Sequence, residues 1–364
     1  MQCAYGRYVD TRQPPGLTWA TTVHKEASPV STASQPRRAS FDAIPVVDIA
    51  ALAAPETPAA RATSDALCRA YEQVGFASIT GHGVPRDLID RCFAASRAFH
   101  AASIERKQSI AINAFHRGYM GFATSTIVTS TVARNTKPNL SESLLVMHEL
   151  APDDPDLVAG RPLQGPNRWP QWQPDFKPTI LAYMEALEVV ARRLLDAFTL
   201  GMGLPSELLE PLFQRPTVFL RLLHYPPHPA DAPDGQFGSA PHTDYGCMTI
   251  LAQDTSGGLQ VRTPDGNWVD ALPMPGAFVL NLGDLMPRWS NGRFRSTPHR
   301  VINNKTGSDR YSLPFFFDPS MDARIECLPG CAGPDNPPRF PPMRYGDYLM
   351  ERLDKNYDYR KSGP

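Results

Sequence analysis

Pro241-His242-Thr243-Asp244, taken with His299 in Ser296-Thr297-Pro298-His299-Arg300-Val301-Ile302 and with Arg310-Tyr311-Ser312, decides how this chain is read. In an extended strand, residues two apart share a face, so His242 and Asp244 can reach one ion from a single element. A second imidazole comes from His299, where the β-branched residues after Pro298 read as another strand. The pair alone is a weak signal. With nine histidines and 37 acidic residues in 364, about one His-x-acid pair is expected by chance. The other such pair, His24-Lys25-Glu26, sits in a polar stretch without a strand pattern and is read as the chance match.

What strengthens the first pair is the sequence beyond it. From Pro298 to Asp318 the pattern is strand, polar turn (Asn303 to Asp309) and strand, which predicts a hairpin. With the turn centred near Thr306 and Gly307, Arg310 would face Asn303 and Ser312 would face Val301. Arg310 would then lie about four residues, roughly 13 Å, along the strand from His299. That span suits a small diacid with one end on the metal. Arg310 would hold the far carboxylate with its planar fork, and Ser312 would add a hydroxyl from the same face. Two histidines and one carboxylate leave other metal positions open, the arrangement of non-haem Fe(II) oxygenases. The same donors also describe a catalytic zinc site, but a zinc hydrolase leaves Arg310 and Ser312 without a task. A metal-free binding protein is a further alternative, and the complete triad argues against it.

The ordered motifs Phe219-Leu220-Arg221-Leu222-Leu223-His224-Tyr225-Pro226, Pro241 to Gly246, Gly257 to Val261, Asn281-Leu282-Gly283-Asp284, Arg295 to Val301 and Arg310-Tyr311-Ser312 resemble the 2-oxoglutarate/Fe(II)-dependent oxygenases of the isopenicillin N synthase-like family. The resemblance extends over most of the chain. It implies a mainly β fold with flanking helices around a double-stranded β-helix, or jelly roll, with iron at one mouth. It carries His242, Asp244 and His299 over as Fe(II) ligands, and Arg310 and Ser312 as binders of the 2-oxoglutarate far carboxylate. Tyr225 matches a tyrosine that touches this cosubstrate in many members. Many plant members carry asparagine two residues before that tyrosine, where this chain has Leu223. The implied reaction consumes O2 and 2-oxoglutarate, releases succinate and CO2, and oxidises a small-molecule substrate, with hydroxylation as the default. An Fe(II) oxidase of the same fold that uses no 2-oxoglutarate is the nearest alternative.

Composition sets the outer bounds. The chain is 42% hydrophobic and 20% charged, with a formal net charge of −1. These values fit a globular protein with no global field for nucleic acid or anionic membrane. Six cysteines are scattered without a Cys-x-x-Cys unit, so neither a zinc ribbon nor a disulfide framework is expected. Cys327 and Cys331 read as two free loop thiols. No apolar run approaches a membrane span and no signal-peptide pattern opens the chain, so the expected compartment is the cytoplasm.

Along the chain, residues 1–40 are polar and aperiodic and predict a disordered extension. Residues 41–150 predict an N-terminal α/β region: strands at 44–49 and 76–80, helices at about 59–74, 85–101 and 104–108, then a loop-like wall for a pocket over 116–149. His82, between two glycines in a turn, reads as structural. Residues 151–215 form a connector and a buttressing helix with apolar positions Ile180, Tyr183, Met184, Leu187, Val190, Ala191, Leu194, Leu195 and Phe198. Residues 216–330 hold the jelly-roll strands, expected at 217–225, 247–253, 258–262, 267–270, 277–282, 298–304 and 310–317. Phe315-Phe316-Phe317 is a candidate to line part of the pocket, although an aromatic run on a strand is more often core. The tail, 331–364, ends in a short helix near 345–353 whose residues approach the pocket mouth.

Overall fold

The computed structural model describes residues 40–227, 235–302 and 307–360. Apart from Ser40, the extension expected over 1–40 lies outside the described residues.

The chain opens with β1 (Val46–Asp48), α1 (Pro58–Gln73), β2 (Phe76–Thr80), α2 (Arg86–His100) and α3 (Ile104–Gln108). Thr57 caps α1, its Oγ1 accepting the Ala60 N–H at 3.2 Å, and Pro58 takes the first helical position, where no N–H is needed. β3 (Gly118–Met120) and β4 (Glu142–Met147) follow, then α4 (Pro155–Val158) and α5 (Phe176–Gly201). All nine apolar positions expected on α5 are buried. Each such side chain contributes about 1.5–3 kcal/mol by leaving water, enough to fix α5 as the helix that backs the large sheet.

The rest is mostly strand: β5 (Thr217–Tyr225), β6 (Ser239–His242), β7 (Met248–Gln253), β8 (Leu259–Arg262), β9 (Trp268–Asp270), β10 (Phe278–Leu282), α6 (Leu285–Trp289), β11 (His299–Val301), β12 (Arg310–Asp318), β13 (Arg324–Ile325), β14 (Met343–Arg344) and α7 (Tyr345–Asn356). Eight strands form one sheet in the order β1-β2-β10-β7-β12-β5-β4-β3, and four form a second in the order β6-β11-β8-β9. Apart from β1 with β2, the strand pairings among the described residues are antiparallel. One face of the large sheet packs on α1, α2 and α5 in the main core. The other face meets the small sheet through Phe76, Leu223, Leu251, Leu259, Val261, Val279 and Val301. Two sheets with helices along one outer face are the jelly roll with flanking helices that the sequence predicts.

Alternation on β12 shows how the fold builds a cavity. Leu313, Phe315 and Phe317 enter the helix-backed core, while Arg310, Ser312, Pro314 and Phe316 line the space between the sheets. The phenylalanine run therefore divides between core and pocket by strand period.

Three expectations are corrected. β11 and β12 are not a hairpin: β11 pairs with β6 and β8 in the small sheet, and β12 pairs with β5 and β7 in the large one. Arg310 faces Tyr225, and Ser312 faces Leu223 and Gln253, rather than Asn303 and Val301. The polar connection changes sheets, which adjacency in sequence cannot reveal; its residues 303–306 lie outside the described set. Secondly, β6 ends at His242, so Asp244 stands in the loop beyond the strand. Thirdly, 116–149 is not all loop. It contains β3 and β4, and β4 is buried at every position, so it lacks the alternation that marks a half-exposed strand.

Candidate active site

His242 and His299 are cross-strand partners on β6 and β11, and this register holds their rings 4.3 Å apart between centroids. Each ring is oriented by its own backbone. His242 Nδ1 lies 2.7 Å from the Ala240 carbonyl, and His299 Nδ1 lies 3.2 Å from that of Thr297. An Nδ1–H donated to each carbonyl leaves Nε2 with its lone pair free. Phe76 packs edge-on against His299.

Asp244 completes the cluster from the loop. Its backbone is fastened to the start of α6: Asp284 N–H donates to the Asp244 carbonyl at 2.9 Å, Leu285 N–H to Gly246 at 3.1 Å and Gly283 N–H to Cys247 at 2.9 Å. Oδ2 of Asp244 accepts from Thr249 Oγ1 at 2.5 Å and from Asn281 Nδ2 at 2.7 Å. Oδ1 is left 3.7 Å from Nε2 of both histidines. One ligand atom from each residue lies within 4.8 Å of the others. Burial and the adjacent His299 hold His242 down at about 4, against the pull of Asp244, so the imidazole is neutral and fit to ligate. Burial alone would raise Asp244, but the two histidines, Thr249 and Asn281 outweigh it and keep the carboxylate ionised. Two neutral imidazoles and one anionic oxygen, all buried and oriented from behind, fit a divalent transition metal with open coordination positions.

A cavity of about 170 Å³ adjoins this cluster, and all six residues singled out in the sequence, His242, Asp244, His299, Tyr225, Arg310 and Ser312, line it. Arg310 is 2% exposed. Its Nε donates to the Gly257 carbonyl at 2.6 Å, its Nη1 to Ser312 Oγ at 3.2 Å, and its guanidinium carbon stands 4.7 Å from the centre of the Tyr225 ring. No carboxylate pairs with it among the described residues. Neighbouring Asp309 is instead bonded to His224 Nε2 at 2.8 Å.

Part of the 116–149 segment reaches the cavity. Ser125, Thr126, Ile127 and Asn139 line the cavity. Asn139 Oδ1 accepts from Ala240 N at 2.9 Å, and Ser130 Oγ donates to the Pro241 carbonyl at 2.7 Å, which ties this segment to β6. From α7, Leu349, Leu353 and Asn356 reach the cavity, and Thr129 N donates to Asn356 Oδ1 at 3.0 Å. His82 stays in its turn, with Val84 N donating to Nδ1 and Nε2 at 3.1 Å from the Gly276 carbonyl.

The sequence reading assigns no role to Thr249, Asn281 or Arg221. A signal for Asn281 is present: an amide inside the apolar strand Phe278 to Leu282, buried throughout, has to find a partner.

Comparison with known proteins agrees with this geometry. Residues 216–319 match the 2OG-Fe(II) oxygenase superfamily, and residues 44–172 match the N-terminal region described as non-haem dioxygenase in morphine synthesis. The 2-oxoglutarate-Fe(II) type oxidoreductase hxnY of Emericella nidulans is 38% identical over 79% of this chain and 82% of its own length. A 2-oxoglutarate-Fe(II) type oxidoreductase of Aspergillus fumigatus is 37% identical over 77% of this chain and 83% of its own. The crystal structure of a full-length Neurospora crassa protein in complex with alpha-KG and thymine superposes with a TM-score of 0.76 at 27% identity, covering 86% of this chain and 96% of that one. With a jelly roll, a His-x-Asp…His cluster and relatives of this identity over most of its length, the chain belongs to the 2-oxoglutarate/Fe(II)-dependent oxygenases of the isopenicillin N synthase-like family, as a dioxygenase that uses Fe(II) and 2-oxoglutarate.

Proposed function

We propose that this dioxygenase hydroxylates a small molecule bound in the cavity, with His242, Asp244 and His299 as the Fe(II) ligands, Arg310 and Ser312 as the residues that hold the far carboxylate of 2-oxoglutarate, and Tyr225 as a further contact to the cosubstrate. The observation that carries this reading is Arg310. A buried cation without an anionic partner costs several kcal/mol, and a carboxylate arriving with the cosubstrate removes that cost through paired, charge-assisted hydrogen bonds. A zinc hydrolase gives this arginine nothing to bind.

Bound iron supplies the activation of O2 and the oxidation that turns 2-oxoglutarate into succinate and CO2. The chain supplies position. Gly257 and Ser312 fix the Arg310 fork, and the Tyr225 ring supports its cationic face. Thr249 and Asn281 aim Oδ1 of Asp244 at the histidines. Leu223, Leu251 and Val301 make the adjoining wall apolar and exclude water from the oxidising centre. The Neurospora crassa structure with thymine supports a substrate on the scale of a single small ring. The five described cysteines are all free, which supports a reducing compartment and so a cytoplasmic enzyme.

The test is succinate formation from 2-oxoglutarate with Fe(II) in air, with and without a library of small metabolites. Stimulation by one of them, with a product heavier by one oxygen, is expected. Substrate turnover that needs no 2-oxoglutarate would replace this reading with an oxidase.

A further inference from the structure

The same cavity holds a second arginine that this function does not use. Arg221 lies on β5 four residues before Tyr225, roughly 13 Å along the strand from the Tyr225–Arg310 pair. Phe219, Arg221, Leu223 and Tyr225 are alternate residues of β5, and all four line the cavity. The Arg221 guanidinium is held from behind: Nε donates to Oγ of buried Ser143 at 2.9 Å, and Nη2 approaches Met120 Sδ at 3.6 Å. Nη1 has no protein partner and no carboxylate pairs with the group, among the described residues. The two acids lining the cavity are engaged elsewhere. Asp244 faces the histidines, Thr249 and Asn281, and Asp318 accepts from Cys247 N at 2.6 Å and Tyr345 Oη at 2.7 Å.

The charge balance gives this arginine a meaning. Fe(II), Asp244, dianionic 2-oxoglutarate and Arg310 together sum to neutrality, and Asp318, bonded to Cys247 and Tyr345, forms no ion pair with Arg221 among the described residues, so Arg221 is a cation without a direct counter-charge. Leu145 is its cross-strand partner, Phe219 shares its strand face, and His116 and Tyr357 join Phe219 in an aromatic group that lines the same cavity. His116 takes a left-handed backbone conformation, φ 61°, and packs edge-on to Phe219 and Tyr357. A non-glycine residue in that region is sterically unfavourable, and such positions cluster at ligand sites.

We propose that Arg221 is the docking point for a carboxylate on the prime substrate, which is a small monocarboxylic acid with an aromatic or apolar body. The carboxylate takes the free edge of the guanidinium, Ser143 keeps the fork in place, and the body lies toward the metal cluster, against the aromatic surface that Phe219 and His116 form together. This rests on the assignment of Arg310 to 2-oxoglutarate, because a cosubstrate held at Arg221 would occupy the cation that the substrate carboxylate needs.

The experiment uses the full chain loaded with Mn(II) and 2-oxoglutarate, so that ligands bind without turnover. The probes are a panel of six- to twelve-carbon aromatic and alicyclic monocarboxylic acids, beginning with benzoate, phenylacetate and cyclohexanecarboxylate, each beside its primary amide. Calorimetric titration is expected to find acids of the panel bound at least tenfold more tightly than their amides. Arg221→Gln is expected to abolish that preference, and Arg221→Lys, which keeps the charge and loses the fork, to retain part of it. The 2-oxoglutarate affinity of either variant should change less than twofold. Equal binding of acid and amide, an unchanged preference in Arg221→Gln, or a panel in which no acid binds would overturn the proposal. The wild-type comparison decides the matter even where a variant fails to fold. Failure of wild-type protein to bind 2-oxoglutarate with Mn(II) would instead overturn the reading of Arg310.

Discussion

Asn281 Nδ2 donates to Oδ2 of Asp244 at 2.7 Å, so the opposite oxygen of that carboxylate is the one presented to His242 and His299. β10 places the asparagine and the 244–247 loop places the aspartate, so the bond locks a loop residue to the sheet. Without it the carboxylate can rotate about its last bond, and either oxygen can face the imidazoles. Removing such an outer partner lowers metal affinity about tenfold to a hundredfold. Asn281→Ala and Thr249→Val are each expected to weaken Fe(II) or Mn(II) binding in that range. Metal titration by calorimetry checks this, and unchanged affinity in both variants would show that the loop backbone alone fixes Asp244.

That backbone has its own requirement. A Cβ on Gly283 would stand 2.3 Å from the Gly246 carbonyl oxygen, and one on Gly246 would stand 1.7 Å from Oδ1 of Asp318. Neither distance is open to real atoms, and the obstacle at Gly283 is backbone. Gly283→Ala is therefore expected to push the 244–247 loop off α6 and move Asp244 away from the histidines. Loss of metal binding greater than in Asn281→Ala, with a thermal midpoint lowered by several degrees, is the expected outcome. Wild-type metal affinity in Gly283→Ala would refute it.

The residues that carry chemistry are legible in the sequence because each chemical task admits few side chains: His242, Asp244, His299 and Arg310 stand out by type and order. Helix α5 is legible because its nine apolar positions repeat at helical period. Pairing is not. The sequence from Pro298 to Asp318 has the local pattern of a hairpin, yet β11 and β12 enter different sheets, a choice made by long-range partners such as His242 and Tyr225. β4 is hidden because burial on both faces erases the period of two. Arg221 and Asn281 each read as one polar residue in an apolar strand, and only the packed structure shows that Asn281 is bonded to Asp244 while Arg221, held by Ser143, pairs with no carboxylate among the described residues.

Stability is expected to fall toward acid. Burial drives His100 down to about 3, against the attraction of Glu142 and reinforced by His224 and Lys107. Burial does the same to His116, reinforced by Arg221 and Arg360. An unfolded histidine titrates near about 6.5. Between about 6.5 and 3 the unfolded chain thus binds protons that the folded chain refuses, and folding weakens as the pH drops. Metal-free His242, held at about 4 by burial and His299, acts in the same direction, and Asp318, raised to about 7 by burial, acts oppositely between 3.8 and 7 and offsets about one of the three histidines. Glu142, which burial alone would raise, is held at about 2 by bonds from His224, Tyr119 and Lys107, so its contribution is lost between 4.5 and 2. The urea midpoint measured without added metal should fall gently from pH 6.5 to 4.5 and steeply below. A midpoint that rises between pH 5 and 4 would contradict this account.

Arg310 gives the most quantitative expectation. Its Nε and Nη1 are committed to Gly257 and Ser312, and no acid among the described residues neutralises it. The simple alternative, a brace between Arg310 and the adjacent Asp309, finds no support, because Asp309 is bonded to His224. Charge-assisted hydrogen bonds contribute about 1.5–3 kcal/mol each. Arg310→Ala should therefore raise the 2-oxoglutarate requirement by roughly tenfold to a hundredfold or more, and Arg310→Lys, with its charge kept and its fork lost, by less. Ser312→Ala removes one neutral partner and should cost about 1 kcal/mol. Metal affinity should hardly move in any of the three, since none alters a donor of the metal cluster. Titration of 2-oxoglutarate against succinate formation, beside a metal titration, separates cosubstrate binding from general damage. An unchanged 2-oxoglutarate requirement together with reduced stability would make Arg310 a structural cation and place the cosubstrate elsewhere in the cavity.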